Sequence, residues 1–158
     1  MSLVHIHLLL SHIPVVGILF ALIAFTTALV FRETVSIRFA LVFIVALALV
    51  TGGVYLTGEP AEEAVENLVG VSESAIEAHE DAAKTAVVAM SILGALSLAA
   101  LLAFGKRPMP RWVGATGLAG TLLVSVLLGW TANIGGQIRH AEIRSAGIQQ
   151  RGASDDSD

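Results

Sequence analysis

The chain has 158 residues, 55% of them apolar and only 14% charged, with a mean hydropathy of +0.80 and a formal net charge of −4. A soluble domain takes about a quarter of its residues from Asp, Glu, Lys and Arg, so this composition points to a membrane protein. The absence of cysteine excludes disulfides, thiolate metal sites, iron–sulfur clusters and cysteine nucleophiles, and the acidic balance excludes the basic patch of a nucleic-acid binder.

In chain order, no charged residue precedes Arg32, and the apolar run from Leu8 to Phe31 is too long for a signal-peptide core and lacks a basic flank. It is expected to be a retained first span at about 8–31. Three further uncharged stretches predict spans at about 39–58, 85–105 and 112–134, the last broken towards its end by Asn133 and Gly135-Gly136. Each stretch supplies the roughly 20 helical residues that a core about 30 Å thick requires. Lipid leaves backbone groups no external partner, so the spans are helices. The expected fold is all-α, a four-helix transmembrane bundle over 1–146, with a polar tail at 147–158 expected to be disordered.

The connections differ in charge. The loops after spans one and three carry or border Arg32, Arg38, Lys106, Arg107 and Arg111 against one acid, Glu33, whereas residues 59–81 hold eight acids and no Lys or Arg. Short basic loops stay cytoplasmic, so both termini and the acidic segment (59–84) are expected outside the cell membrane, although Arg139, Arg144 and Arg151 weaken the asymmetry. Within the acidic segment, Pro60 suggests a surface helix over 61–68 ended by Gly70. Ser74 with Glu77 reads as a capping box that starts helix three above the bilayer.

All five histidines fall on this acidic side. His5 and His12 are seven apart and share a helix face, while His7 points the other way and by itself reads as a surface residue. His79 lies on the outward extension of helix three, above Ala83, Ala86 and Met90, whose small members would admit a helix or a flat ligand. His140 follows span four, in a stripe with Gly129, Asn133 and Gln137. Three helices thus bring imidazoles to one layer, with Glu59, Glu62, Glu63, Glu66, Glu80 and Glu142 nearby. Nitrogen and carboxylate ligands together suit iron, zinc or copper. Haem b would take one or two of His12, His79 and His140 and an apolar slot. A non-haem ion would draw on His5, His7, His12, Glu59, Glu63, His79, Glu80 and His140.

Other features read as structural. Met90 is expected in the core, Trp112 and Trp130 at opposite interfaces, Gly52-Gly53 and Gly117/Gly120 at close helix contacts, and Glu80 with Lys84 as an i,i+4 pair. No nucleotide-binding or nucleophile-elbow motif is present, so a redox role follows only if the histidine layer holds a cofactor. The other reading is a cofactor-free structural or interaction subunit, packed against other membrane subunits or further copies of itself. A channel or transporter is least favoured, because the spans carry almost no charge at mid-depth.

Four segments carry a resemblance: His7 to Gly17, Leu56 to Glu63, Gly70 to Glu73 with Ile76 to Glu80, and Gly135 to Arg144. Together they resemble an uncharacterised bacterial family of four-span integral membrane proteins, over nearly the whole chain, and the shape is similar to small membrane b-type cytochrome domains. The resemblance implies that His7, His12, Glu59, Glu63, His79, Glu80 and His140 belong to the family's motifs, which moves His7 from surface residue to candidate ligand. It also implies a histidine where Asn67 stands.

Overall fold

The computed structural model describes residues 2–66, 68–138 and 140, and the elements among them are helices. In order they are α1 (Leu3–Val30), α2 (Thr34–Leu56), the short α3 (Gly58–Glu63), α4 (Glu73–Phe104) and α5 (Arg111–Gln137). All but α3 are long and apolar enough to cross a bilayer, α3 continuing the second span. The most apolar windows have mean hydropathies of 1.7 to 2.5, yet only 22 to 33% of each is buried inside the protein. Phe20, Leu49, Leu102 and Trp112 are all more than half exposed. Water penalises so continuous an apolar exterior, whereas lipid tails match it. The chain is a multi-pass membrane protein.

The helices outrun the uncharged stretches. At 1.5 Å per residue, the 28 residues of α1 and the 32 of α4 reach roughly 42 and 48 Å. Lipid limits where charges sit, and says nothing of where a helix stops in water. The N-cap of α4 is Ser72, whose hydroxyl accepts from the Ala75 amide; Ser74 lies inside the first turn, and with alanine three residues after the cap the expected capping box does not form. The surface helix spans Gly58–Glu63 where 61–68 was expected. Proline needs no partner for its missing N–H anywhere in a first turn, so Pro60 fits at the third position as well as the first. Gly70 adopts φ +87°, a glycine conformation, but beyond a helix that has already ended.

The bundle is a ring in the order α1, α2, α4, α5 and back to α1, with α1 and α4 facing each other across the diagonal. Phe25, Ile18, Ile44 and Met90 are fully buried at its centre. Each side of the ring has one glycine at its tightest point. A Cβ on Gly17 would lie 2.5 Å from Leu47, one on Gly94 2.5 Å from Ala48, one on Gly120 2.7 Å from Leu93 and one on Gly117 2.7 Å from Phe25. Close backbone approach of this kind replaces the hydrophobic drive that lipid removes. Gly117 and Gly120 therefore mark contacts as expected, but Gly52 and Gly53 have open space beside them.

Two arginines tie the hairpins together at the end carrying both short basic turns, here called the basic end. Arg38 of α2 donates to the Arg107 carbonyl (2.8 Å), and Arg111 of α5 donates to the Leu29 carbonyl (3.3 Å). The α1–α2 turn closes with the Glu33 amide bonded to the Ala28 carbonyl (2.9 Å) and Arg32 at φ +58°. This is a Schellman cap with arginine where glycine is usual. A left-handed conformation costs a side-chain-bearing residue about 1 kcal/mol. Arg32→Gly is accordingly expected to stabilise the bundle by about 0.5–1 kcal/mol, read as a higher unfolding midpoint in detergent; an unchanged or lower midpoint contradicts the cap.

Candidate histidine site at the acidic end

The opposite end carries the eight acids of 59–81 and the histidines. Depth along each helix is set by the rise per residue. His7 lies 23 residues before Val30 and His79 lies 25 before Phe104, which puts them roughly 35 and 37 Å from the basic end. They share a layer at the acidic boundary of a core about 30 Å thick. They also sit on the two diagonal helices, α1 and α4, and each is half-buried.

Both rings are fixed through Nδ1. The His79 Nδ1–H donates to the Thr131 carbonyl of α5 (3.1 Å). The ring lies against Gly135, where a Cβ would come 3.0 Å from Cε1 and 3.1 Å from Nδ1. His7 Nδ1 pairs with the Thr57 hydroxyl (2.9 Å), and that hydroxyl gives its own proton to the Val54 carbonyl (2.7 Å). The Thr57 oxygen is thereby left as acceptor, so His7 carries its proton on Nδ1. In the neutral state both imidazoles keep the lone pair on Nε2, the nitrogen that a metal takes when the other is held by an acceptor. Gly58 leaves room beside His7, a Cβ there standing 3.7 Å from Cε1. The two rings lie within electrostatic reach of each other.

The remaining candidates are not brought into this pair. His5 and His12 do share a helix face, but it is the exposed one. His12 bonds the carbonyl of Leu8 in its own helix (2.6 Å), and His5 bonds the N-cap hydroxyl of Ser2 (2.8 Å). His12, expected with His79 and His140 among the haem ligands, thus lies on the exposed face, and it is His7 that faces inward. His7 stands at the α2–α3 junction, where the Thr57 hydroxyl accepts from its ring. His140 follows α5 exposed, its amide bonded to the Gly136 carbonyl (3.3 Å). Glu59, Glu63 and Glu80 lie towards the surface, and Glu80 pairs with Lys84 at 3.0 Å. Glu62 lies within electrostatic reach of Glu80, Glu66 and Glu59. Asn67 and Glu142 fall outside the described residues.

The expected slot beneath His79 is filled. Ala86 and Met90 belong to the buried core, and nothing separates them from the neighbouring helices. Among the described residues, no group of three or more His, Asp or Glu is close enough to hold a metal ion. Thr57, Thr131 and Gly135 carry the geometry without having been singled out for it: a threonine in a membrane helix is ordinarily read as bonding its own preceding turn, and Gly135 reads as a helix breaker. Comparison with protein-family models, with curated proteins and with solved structures found no match.

Proposed function

We propose that this chain is an electron-transfer subunit of the bacterial cell membrane that holds haem b through His7 and His79, with its acidic end outward and its basic end in the cytoplasm. One observation carries the reading. Two half-buried imidazoles from diagonal helices stand at one depth, each with Nδ1 committed to an acceptor and Nε2 left as the donor atom. A haem asks for one or two protein ligands and an apolar slot; this pair offers the ligands, while the space beneath His79 is taken by Ala86 and Met90 and does not supply the slot. The group, when bound, supplies one-electron chemistry. The protein's part is to orient the two rings through the Thr57 hydroxyl and the Thr131 carbonyl, with Gly135 letting the His79 ring lie close against α5. Orientation across the membrane rests on the Lys and Arg of the two short loops at one end and their absence from residues 59–81 at the other.

The test is spectroscopic. Protein purified in mild detergent from haem-replete cells is expected to show a Soret band and one iron per chain. His7→Ala and His79→Ala should each abolish it, and His12→Ala should leave it in place. A colourless, metal-free preparation overturns the reading, as does a chromophore that survives both inner substitutions. Stoichiometric zinc or copper in place of iron overturns haem in favour of a simple metal-ion site.

A second reading is favoured by the same hydrogen bonds. His7 ties α1 to the α2–α3 junction and His79 ties α4 to α5, as cross-links in a cofactor-free structural subunit would. Under that reading the two inner substitutions lower the unfolding midpoint and change no spectrum.

A further inference from the structure

The basic end holds a second arrangement, independent of the histidines. Five cations, Arg32, Arg38, Lys106, Arg107 and Arg111, meet a single acid, Glu33. The turn between α4 and α5 is held down by Met109, which is 2% exposed, and by the bond from Arg38 to the Arg107 carbonyl. The side chains of Lys106 and Arg107 are left on the exposed surface of that fixed turn. Arg111 spends one Nη2–H on the Leu29 carbonyl, a small part of the five donors in its guanidinium. The 27-residue α5 begins at Arg111 with Pro110 as its N-cap and no side-chain cap, so its first amides present a partial positive charge at the same place.

Directly beneath lies an apolar groove between α4 and α5. Its lining runs from Leu93 to Phe104 on one helix and from Trp112 to Gly117 on the other, with Leu41 of α2 joining them and no charged residue. The eleven steps of α4 from Leu93 to Phe104, at 1.5 Å each, give it a length of roughly 16 Å. The rings of Phe104 and Trp112 meet edge to face at its upper end, centroids 6.1 Å apart. Trp112 is 62% exposed and stands at headgroup depth. In a bilayer this groove is bordered by lipid, and an acyl chain is the apolar body at hand.

We propose that the basic end binds one anionic phospholipid, its phosphate among Lys106, Arg107 and Arg111 and one acyl chain in the α4–α5 groove. Charge selects the headgroup. A zwitterionic lipid brings its own cation into a place that already holds five against one acid, whereas an anionic one supplies the missing negative charge. The groove distinguishes a lipid from a free phosphate, which would use only the cations.

Native mass spectrometry tests this on the full chain in detergent, with phosphatidylglycerol and phosphatidylcholine of equal chain length added at equal concentration. One phosphatidylglycerol is expected to be retained in about tenfold preference. Lys106→Gln with Arg107→Gln removes two charges and keeps both arginine–carbonyl bonds; it should bring the preference to about parity. Ala103→Phe fills the groove and should reduce retention of both lipids while leaving helix content and unfolding midpoint in place. Equal retention of the two lipids by the parent chain overturns the proposal. So does a preference that survives the double substitution, or full displacement of the lipid by inorganic phosphate. The haem spectrum is read at the other end of the bundle, so neither result decides the other.

Discussion

Gly94→Ala should destabilise the bundle by about 1–3 kcal/mol, and Ala48→Gly in the same chain should recover most of that loss. The new methyl would be built 2.5 Å from the Ala48 Cβ. Neither atom belongs to a flexible side chain, so rotation relieves nothing and α2 and α4 must separate. Separation is costly here for a reason specific to lipid. Helices in a bilayer gain little by hiding apolar surface from surroundings that are equally apolar, and they cohere through close packing. Made together, the two substitutions move the methyl from α2 to α4 and restore the volume at the contact, though not its shape. Unfolding midpoints in detergent titrated with dodecyl sulfate measure both single variants and the double one. The two substitutions are expected to be strongly coupled, by at least about 1 kcal/mol; simple additivity would mean that the helices do not meet at Gly94.

The spans could be read from the sequence because lipid excludes charge, and the gaps between charges mark where lipid must be. Helix ends were not legible by the same means. Glu73, Glu77 and Glu80 extend α4 well above the span expected at 85–105, since charged residues in water are ordinary helix formers. The inward face was not legible either. α1 is apolar on nearly every side and has scarcely any hydrophobic asymmetry, so phase correctly grouped His5 with His12 but gave no sign of which face turned inward. His7 comes inward because Thr57 is there to meet it, a contact fifty residues distant in sequence. Glycine has the same ambiguity. Gly117 sits against Phe25 while Gly52 and Gly53 face open space, and nothing local to the three residues separates them.

The two faces of α5 also explain how the layer can be both precise and shallow. Its lower turns are locked by Gly117 and Gly120 against α1 and α4, and its buried Thr121 bonds the Gly117 carbonyl (2.7 Å). A rigid lower half sets where Thr131 and Gly135 arrive above it, and so sets the seat of the His79 ring. Positioning of a polar group by packing far from it is economical in lipid, where few polar contacts are available for the task.

Adjacent glycines near the end of α5 should therefore respond in opposite senses to one added methyl. At Gly136 nothing lies within 4 Å of a built Cβ. Gly136→Ala should be neutral or stabilising by up to about 1 kcal/mol, the helix propensity difference. At Gly135 the same methyl meets His79 Cε1 at 3.0 Å and Nδ1 at 3.1 Å. The ring cannot withdraw without lengthening its 3.1 Å bond to the Thr131 carbonyl, and a buried or half-buried donor that loses its partner costs about 1–3 kcal/mol. Gly135→Ala should thus lower the unfolding midpoint where Gly136→Ala does not. On the haem reading it should also weaken cofactor retention about 10- to 100-fold, as loss of a ligand's orienting partner does, with titration of haem into the cofactor-free protein as the measurement. Equal midpoints and equal retention for the two variants would mean that Gly135 is not the seat of His79, and the orientation argued for that ring would fall with it.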